Sequence, residues 1–437
     1  MPSLSPRLRI LILISLAIIA YLPALRLPFI ADDYTSIPLA RHFAEKGWAL
    51  MLHDDDSLRP RVTYMFMRAA LDRTFGFNPV AFYAANLLLH VLCVLLVYAT
   101  GVWSELSESI AFWAAAFFAV QEGHQEAVMW AVGSTYLLVF LFGMAAWVCW
   151  VKWLQCGSAK WYALAVVSFL LAMISNESVW IFPALMLLPV AFERKHWRRG
   201  LIGAAPFLAI AVAYIFWNWS SRVSNPGYHD NRFSLSAPWL RVLLNSSWRL
   251  LFVWGLVALA VLLWLRRRAD VRLVGAASLW MILSLLPFSF LTYMVQVPSR
   301  HTYLASVGLA WLFGAAAARL YDQRRHTLLA VLCIAALAVN LEILWVKKMS
   351  QYRERGEPSE LLKQAAAKAD GTVTVECYPL PAFIPEAVLA TVNAHAAFDP
   401  SGMRQEPNCF SVQYRNRQGQ VIHETRRIGT ERHGTFY

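Results

Sequence analysis

Several marks of familiar protein classes are missing from this 437-residue chain. It shows no heptads, no collagen-like period and no solenoid-type repeats, which excludes coiled-coil, fibrous and stacked-repeat architectures. A Gly-rich phosphate loop is absent, so nothing in it reads as a nucleotide cradle. The H-E-x-x-H spacing of a helical metal site is also absent, and Glu122-Gly123-His124 alone is a weak substitute. Cysteine is scarce, at six residues. No clear A-x-A cleavage site follows the first apolar run, residues 10–30. That run is long for a signal-peptide core and follows Arg7 and Arg9, so it reads as an uncleaved span with a cytoplasmic N-terminus.

Apolar residues are abundant. They make up 58% of the chain, with a mean hydropathy of +0.46, against about 45–50% in soluble domains. They come in blocks of roughly twenty residues, the length that crosses about 30 Å of hydrocarbon as a helix. Lipid offers backbone groups no partner, so helix is forced. About eleven spans follow, starting near Ile10, Ala81, Ile110, Ala131, Trp161, Val179, Leu201, Leu250, Leu273, Tyr303 and Leu328. Nineteen Trp and sixteen Tyr suit interfacial belts. The net charge of +12 does not mark a nucleic-acid binder, because the bases sit in short loops. Residues 152–160, 193–200, 266–272 and 319–326 hold Lys and Arg, whereas 121–130 and 175–178 hold none. This positive-inside asymmetry places the first group in the cytoplasm and the second outside.

Two outer loops are long, residues 31–80 and 219–249. Within the first, 37–52 and 62–75 have amphipathic helical spacing and suit helices lying on the outer face. The span domain covers residues 1–346, and a small α+β extramembranous domain covers 347–437. In the latter, 347–370 is helical in pattern. Residues 372–378 and 409–414 alternate as strands do, and Gln418-Gly419 reads as a hairpin turn before 421–425. Parity places this tail outside. Cys377 and Cys409 then lie in an oxidising space that permits a disulfide, with two separate reduced thiols as the alternative.

The polar residues gather at one membrane face. Asp32 and Asp33 follow the first span, Glu122, His124 and Glu126 the third, Glu177 the fifth, and Arg300, His301 and Tyr303 the ninth. Each has a plain structural reading: a helix cap for the acids, a headgroup anchor for Arg300, a solvated run for Asp54-Asp55-Asp56. Adjacent acids repel, which raises the pKa of one and suits general-base work. Arg59 in Arg59-Pro60-Arg61 is either a basic turn or a phosphate holder. His90, inside the second span, reads as a neutral, hydrogen-bonded histidine.

At these residues the sequence resembles the GT-C superfamily of polytopic glycosyltransferases, which carry an acidic pair in the first outer loop. The stretch Phe29-Ile30-Ala31-Asp32-Asp33-Tyr34 carries that likeness. Arg59-Pro60, Gly76-Phe77-Asn78-Pro79 and Asn86-Leu87-Leu88-Leu89-His90 are similar to the transmembrane-and-tetratricopeptide O-mannosyltransferases and their bacterial relatives. Residues 119–128 resemble the family's H-P-x-x-x-E-A-V signature, with Glu126 at the acidic position and Glu122-Gly123 where His-Pro stands. Ser175-Asn176-Glu177-Ser178 resembles its lysine-glutamate motif, with Asn176 for the lysine, and Ser299-Arg300-His301-Thr302-Tyr303-Leu304 its arginine-tyrosine motif. The likeness runs over residues 8–345, and the tetratricopeptide repeats are absent.

The resemblance implies an inverting glycosyltransferase of a bacterial inner membrane. Its donor would be a polyprenyl-phosphate sugar and its acceptor a glycan, lipid or protein. Asp32, Asp33 and Glu126 would be catalytic, and Arg59, His124, Glu177, Arg300 and Tyr303 would bind substrate. No metal ligands are assigned, and a divalent cation is left open. A transporter or flippase of polyprenyl-linked lipids is the rival reading. Acids gathered at one face, instead of polar groups at the midplane, favour the enzyme.

Overall fold

The computed structural model describes residues 5–48, 61–193, 197–220, 234, 236–265, 268–291, 295–379, 388, 397–399 and 401–428. The helices are α1 Pro6–Tyr21, α2 Asp33–Lys46, α3 Val62–Phe75, α4 Pro79–Ala99, α5 Glu108–Val120, α6 Gln125–Val128, α7 Ser134–Cys156, α8 Ala159–Met173 and α9 Phe182–Phe192. They continue with α10 Trp197–Ser220, α11 Trp239–Leu251, α12 Trp254–Leu265, α13 Arg268–Leu285, α14 Ser299–Thr302, α15 Ser306–Asp322, α16 His326–Glu342 and α17 Met349–Lys368. A π-helical turn, Ile343–Lys348, joins α16 to α17.

Local sequence sets the helix starts. Ser5 caps α1 by accepting from the Leu8 N–H at 3.3 Å, with Pro6 in the first turn. Asn78 and Pro79 open α4 in the same way, and Ser107 caps α5. Each cap fills an amide left open by the missing preceding turn.

Among the described residues six helical stretches are long and apolar enough to cross a membrane: Pro6–Arg26, Pro79–Val102, Ala131–Cys156, Trp197–Phe216, Asp270–Phe290 and His326–Lys368. The pair α11–α12 passes the same test jointly, bent by 73°. Glu108–Val120, Ala159–Met173 and Ser178–Phe192 are shorter apolar helices, and α15 is buried along nearly its whole length. Every span expected from the sequence falls on one of these. The short ones depart from the twenty-residue expectation for a physical reason: α5, with 13 residues, reaches only about 20 Å. Beyond its C-terminus the chain continues through Gln121 and His124, both buried in protein, where irregular backbone at membrane depth is tolerated.

The amphipathic segment at 62–75 is α3, as its spacing predicts. The segment predicted at 37–52 begins earlier, at Asp33, and its helix ends at Lys46 against Gly47; residues 49–60 lie outside the described part. After α17 comes a sheet of order β2-β1-β4-β5, with β3 also on β1. Its strands are β1 Ala369–Tyr378, β2 Phe398–Asp399, β3 Arg404–Gln405, β4 Cys409–Asn416 and β5 Val421–Arg427. β4 and β5 form the expected hairpin, and Gly419 supplies its positive φ of 79°. Cys377 and Cys409 are joined by a disulfide.

The tail does not stand apart from the bundle. Leu361, Leu362, Val373, Val375 and Phe410 share one core with Phe29, Tyr34, Ile37 and Phe82. A Cβ at Gly356 would lie 2.3 Å from Pro28 Cγ, so only glycine lets α17 approach the end of the first span this closely. Deep in the bundle Trp103, Trp147, Trp280 and Trp311 pack ring to ring at 5.0–6.0 Å.

Candidate active site

The site is built at the Asp32 end of the bundle, from turns that join distant helices. The chain leaves α1 through a 3-10 turn, Leu22–Arg26, and reverses at Ala31. Ala31 has φ +47°, a left-handed conformation that costs an L-residue roughly 1–2 kcal/mol. The turn is held from both sides. Asp33 Oδ2 accepts the Ile30 N–H at 3.1 Å, and the Ser36 hydroxyl donates to the Asp32 carbonyl at 2.6 Å. Asp33 Oδ1 accepts the Val132 N–H at 2.9 Å and so ties this turn to the loop ahead of α7. That loop folds tightly because residue 133 is glycine: a Cβ there would sit 2.4 Å from the carbonyl oxygens of Glu126 and Ala127.

The two acids are therefore not equivalent. Asp33 is fully buried and spends both oxygens on backbone amides, with Arg68 Nη2 3.6 Å away. Burial pushes its pKa up to about 6, opposed by Arg68 and the two amides. Repulsion from Asp32, the cause expected from adjacency, is the smaller contribution. Asp32 is half-buried, and its carboxylate has no hydrogen-bond partner among the described residues. Burial raises its pKa too, while the charges of Arg300, Arg355, Arg68 and Arg61 lower it.

Across from the pair, Glu126 Oε2 accepts from the Arg300 backbone N–H at 3.1 Å and from its Nη1 at 3.2 Å. Arg300 also lies over the Trp130 ring, 5.5 Å from its centroid. Gln125 beside Glu126 donates to Ser299 Oγ at 2.9 Å and accepts from the Tyr352 hydroxyl at 2.6 Å. One amide side chain thus links the α6 turn, the α14 turn and the tail helix α17. Beneath this layer His124 bonds Ser306 Oγ at 2.8 Å, and His90 bonds the Tyr303 hydroxyl at 2.8 Å and the Ala119 carbonyl at 3.2 Å.

The structure brings Asp32, Asp33, Glu126 and Arg300 together. It places His124 and Tyr303 one layer deeper, fully buried within an aromatic cluster with Phe118 and Phe140. Glu177 begins a 3-10 turn, Glu177–Ile181, and its side chain lies outside the described residues; so does Arg59, with Asp54, Asp55 and Asp56. The sequence reading missed Arg68, Gln125 and Tyr352. Arg68 had a signal: it shares the α3 stripe of Tyr64, Met65, Ala69 and Asp72, all buried. Among the described residues, the ligand-type side chains grouped closely enough for a metal are Cys377, Glu406 and Cys409, and the two sulfurs are spent on the disulfide.

This geometry can now be set beside known proteins. No family model matches the chain. A protein O-mannosyl-transferase of Caenorhabditis elegans is 31% identical over 201 residues, covering 42% of this chain and 27% of that protein. The chain thus spans about a quarter of that relative's length. Among solved structures, ArnT from Cupriavidus metallidurans, crystallised with undecaprenyl phosphate, aligns with a TM-score of 0.56 over 91% of this chain and 89% of its own, at 13% identity. The chain is a multi-pass membrane protein with an ArnT-like fold and a small C-terminal sheet domain.

Proposed function

We propose that this protein is an inverting glycosyltransferase that moves a monosaccharide from a polyprenyl-phosphate donor to a hydroxyl acceptor. The carrying observation is the half-buried Asp32 carboxylate, without a hydrogen-bond partner among the described residues, held on a turn that Asp33 clamps and faced by the Glu126–Arg300 pair. An acceptor oxygen attacks the sugar's anomeric carbon, the bond from that carbon to the phosphate oxygen breaks, and Asp32 takes the acceptor proton. The polyprenyl phosphate leaves with the electron pair of the broken bond. Arg300 stabilises that charge as it builds, and Arg59 is assigned a part in it. Glu126 orients Arg300 and the acceptor; Glu177 is assigned to substrate binding. His124 and Tyr303 support the layer from below. The GT-C fold and the O-mannosyl-transferase relative support this reading, and ArnT's bound undecaprenyl phosphate supports the donor class.

The test is turnover of defined polyprenyl-phosphate sugars by purified protein, with products identified by mass. Translocation of such a lipid across vesicles without sugar transfer would replace the enzyme by a flippase.

The acids are assigned to the outer, periplasmic face of a bacterial inner membrane, with residues 1–346 as the catalytic domain and 347–437 as an outer domain. The basic loops at the opposite end support this, and so does the disulfide. A membrane-impermeant thiol reagent on intact cells should label Cys377 and Cys409 only after reduction. Labelling that requires an opened membrane places the tail in the cytoplasm.

A further inference from the structure

Arg68 is a wholly buried charged side chain at this end that the transfer step above leaves without a task. It has no solvent exposure. Its Nη2 lies 3.6 Å from Asp33 Oδ1, an ion-pair distance too long for a hydrogen bond. Nε, Nη1 and Nη2 are all buried without a hydrogen-bond partner among the described residues. The guanidinium lies between the Tyr64 ring, at 5.2 Å, and the Phe82 ring, at 5.3 Å.

A guanidinium cannot shed its charge when buried, unlike an amine. Burying it with its donors unfilled is costly, so the arrangement needs a compensating charge, and Asp33 is the acid in reach. With no accessible surface, Arg68 is not placed to meet a substrate. The titratable groups facing Asp33 are Asp32 and Tyr34 on its own segment, Tyr64 and Arg68 of α3, Tyr83 of α4 and Tyr352 of α17. Arg68 is the cation that acts most strongly on Asp33, while Arg300, Arg355 and Arg61 also bear on its neighbour Asp32.

We infer that Arg68 is a positioning residue: its fixed charge keeps Asp33 ionised at neutral pH, so that Asp33 goes on accepting the Ile30 and Val132 amides that hold the Asp32 turn. The inference rests on the reading of Asp32 as the base. A neutral Asp33 would present one oxygen as a hydroxyl, a weaker acceptor for the amide it faces than a carboxylate oxygen, and the clamp on the turn at Ala31 would loosen.

The experiment uses Arg68→Gln and Arg68→Lys, each in the wild-type and the Asp33→Asn background. The pH dependence of turnover is measured with a polyprenyl-phosphate sugar. Thermal unfolding against pH is measured without substrate. Arg68→Gln should move the acid limb of turnover to higher pH by about one to three units, the usual reach of an adjacent arginine. Arg68→Lys, which keeps the charge, should leave the limb near the wild-type position. In the Asp33→Asn background Arg68→Gln should move it less, by the direct effect of Arg68 on Asp32 alone. An unmoved limb in Arg68→Gln, or the same shift in both backgrounds, overturns the inference. If Arg68→Gln does not fold, Arg68→Lys decides: an equal loss of turnover with and without Asp33 overturns it. If no donor is turned over at all, the transfer reading fails on its own. The unfolding curves then still report whether Arg68→Gln raises the Asp33 titration.

Discussion

Both ends of the bundle join helices through arginine–carboxylate pairs, and the two ends differ in what the pairs leave over. Away from Asp32, Arg9 meets Glu108, Arg272 meets Glu105 at 2.6 Å, and Arg319 meets Asp270 at 2.7 Å. Each joins helices or turns distant in sequence, and in the first two one partner is well exposed. At the Asp32 end, Arg68 and Asp33 are both wholly buried, and Glu126 holds Arg300 by side chain and backbone. The first set staples the bundle. In the second set the Arg68–Asp33 pair is wholly desolvated, so its charges act at low dielectric, whereas Glu126–Arg300 is buried to the same degree as Arg319–Asp270; beside these pairs the Asp32 carboxylate has no hydrogen-bond partner among the described residues.

The strongest way to break this contrast is at Asp32. Asp32→Asn should lower turnover by about 10²–10⁴-fold, the range of a lost general base, while the protein stays folded and inserted. Comparable turnover in Asp32→Asn, Asp33→Asn and the double variant would remove the acidic pair from the mechanism. Next in size is Arg300→Ala. If Arg300 steadies the departing phosphate as proposed, its removal should cost on the order of 10²-fold, with weakened donor binding. Arg300→Lys should restore only part of this, because an ammonium lacks the guanidinium fork. Unchanged donor affinity would reduce Arg300 to an anchor.

At the opposite end the expected loss is of stability alone. Arg319→Ala leaves Asp270, 5% exposed, without its partner and should cost about 3 kcal/mol. The melting temperature in detergent falls, and the rate per folded molecule stays within about twofold. Replacing both partners by apolar residues should recover much of the loss. A proportionate fall in catalytic rate would erase the distinction between staple and site.

Much of this was legible in the sequence. The spans follow from blocks of apolar residues, the tail strands from alternation, and the acidic layer from the recurrence of polar residues at turns on one side. Adjacency could not tell Asp32 from Asp33. What separates them is the Val132 amide, 99 residues away in the chain, together with a left-handed Ala31 that no propensity suggests. Tyr352 reads as an ordinary aromatic in a charged helix until folding sets it 227 residues back against Gln125. Arg68 reads as one basic residue on an amphipathic helix, since spacing shows the stripe but not the depth at which it is buried.

The smallest effect concerns Asp33 itself and sharpens the same contrast. Its pKa in the fold, about 6, is above the ordinary carboxylate value of 3.8. Between those two values the folded protein holds a proton that the unfolded chain has released. Stability contributed by the protonated form is therefore complete below about pH 4 and is lost as pH rises towards 6. Asn at this position does not titrate. The wild-type melting temperature minus that of Asp33→Asn should thus fall by a few degrees from pH 4 to pH 6.5 and level off above. The measurement needs only purified protein and a pH series. A flat difference would mean that Asp33 keeps its ordinary pKa. A rising difference would mean that Arg68 and the two amides outweigh burial and hold the carboxylate ionised below pH 4. The Asp33 pair would then behave as a staple like those at the opposite end, and the contrast would rest on Asp32 alone.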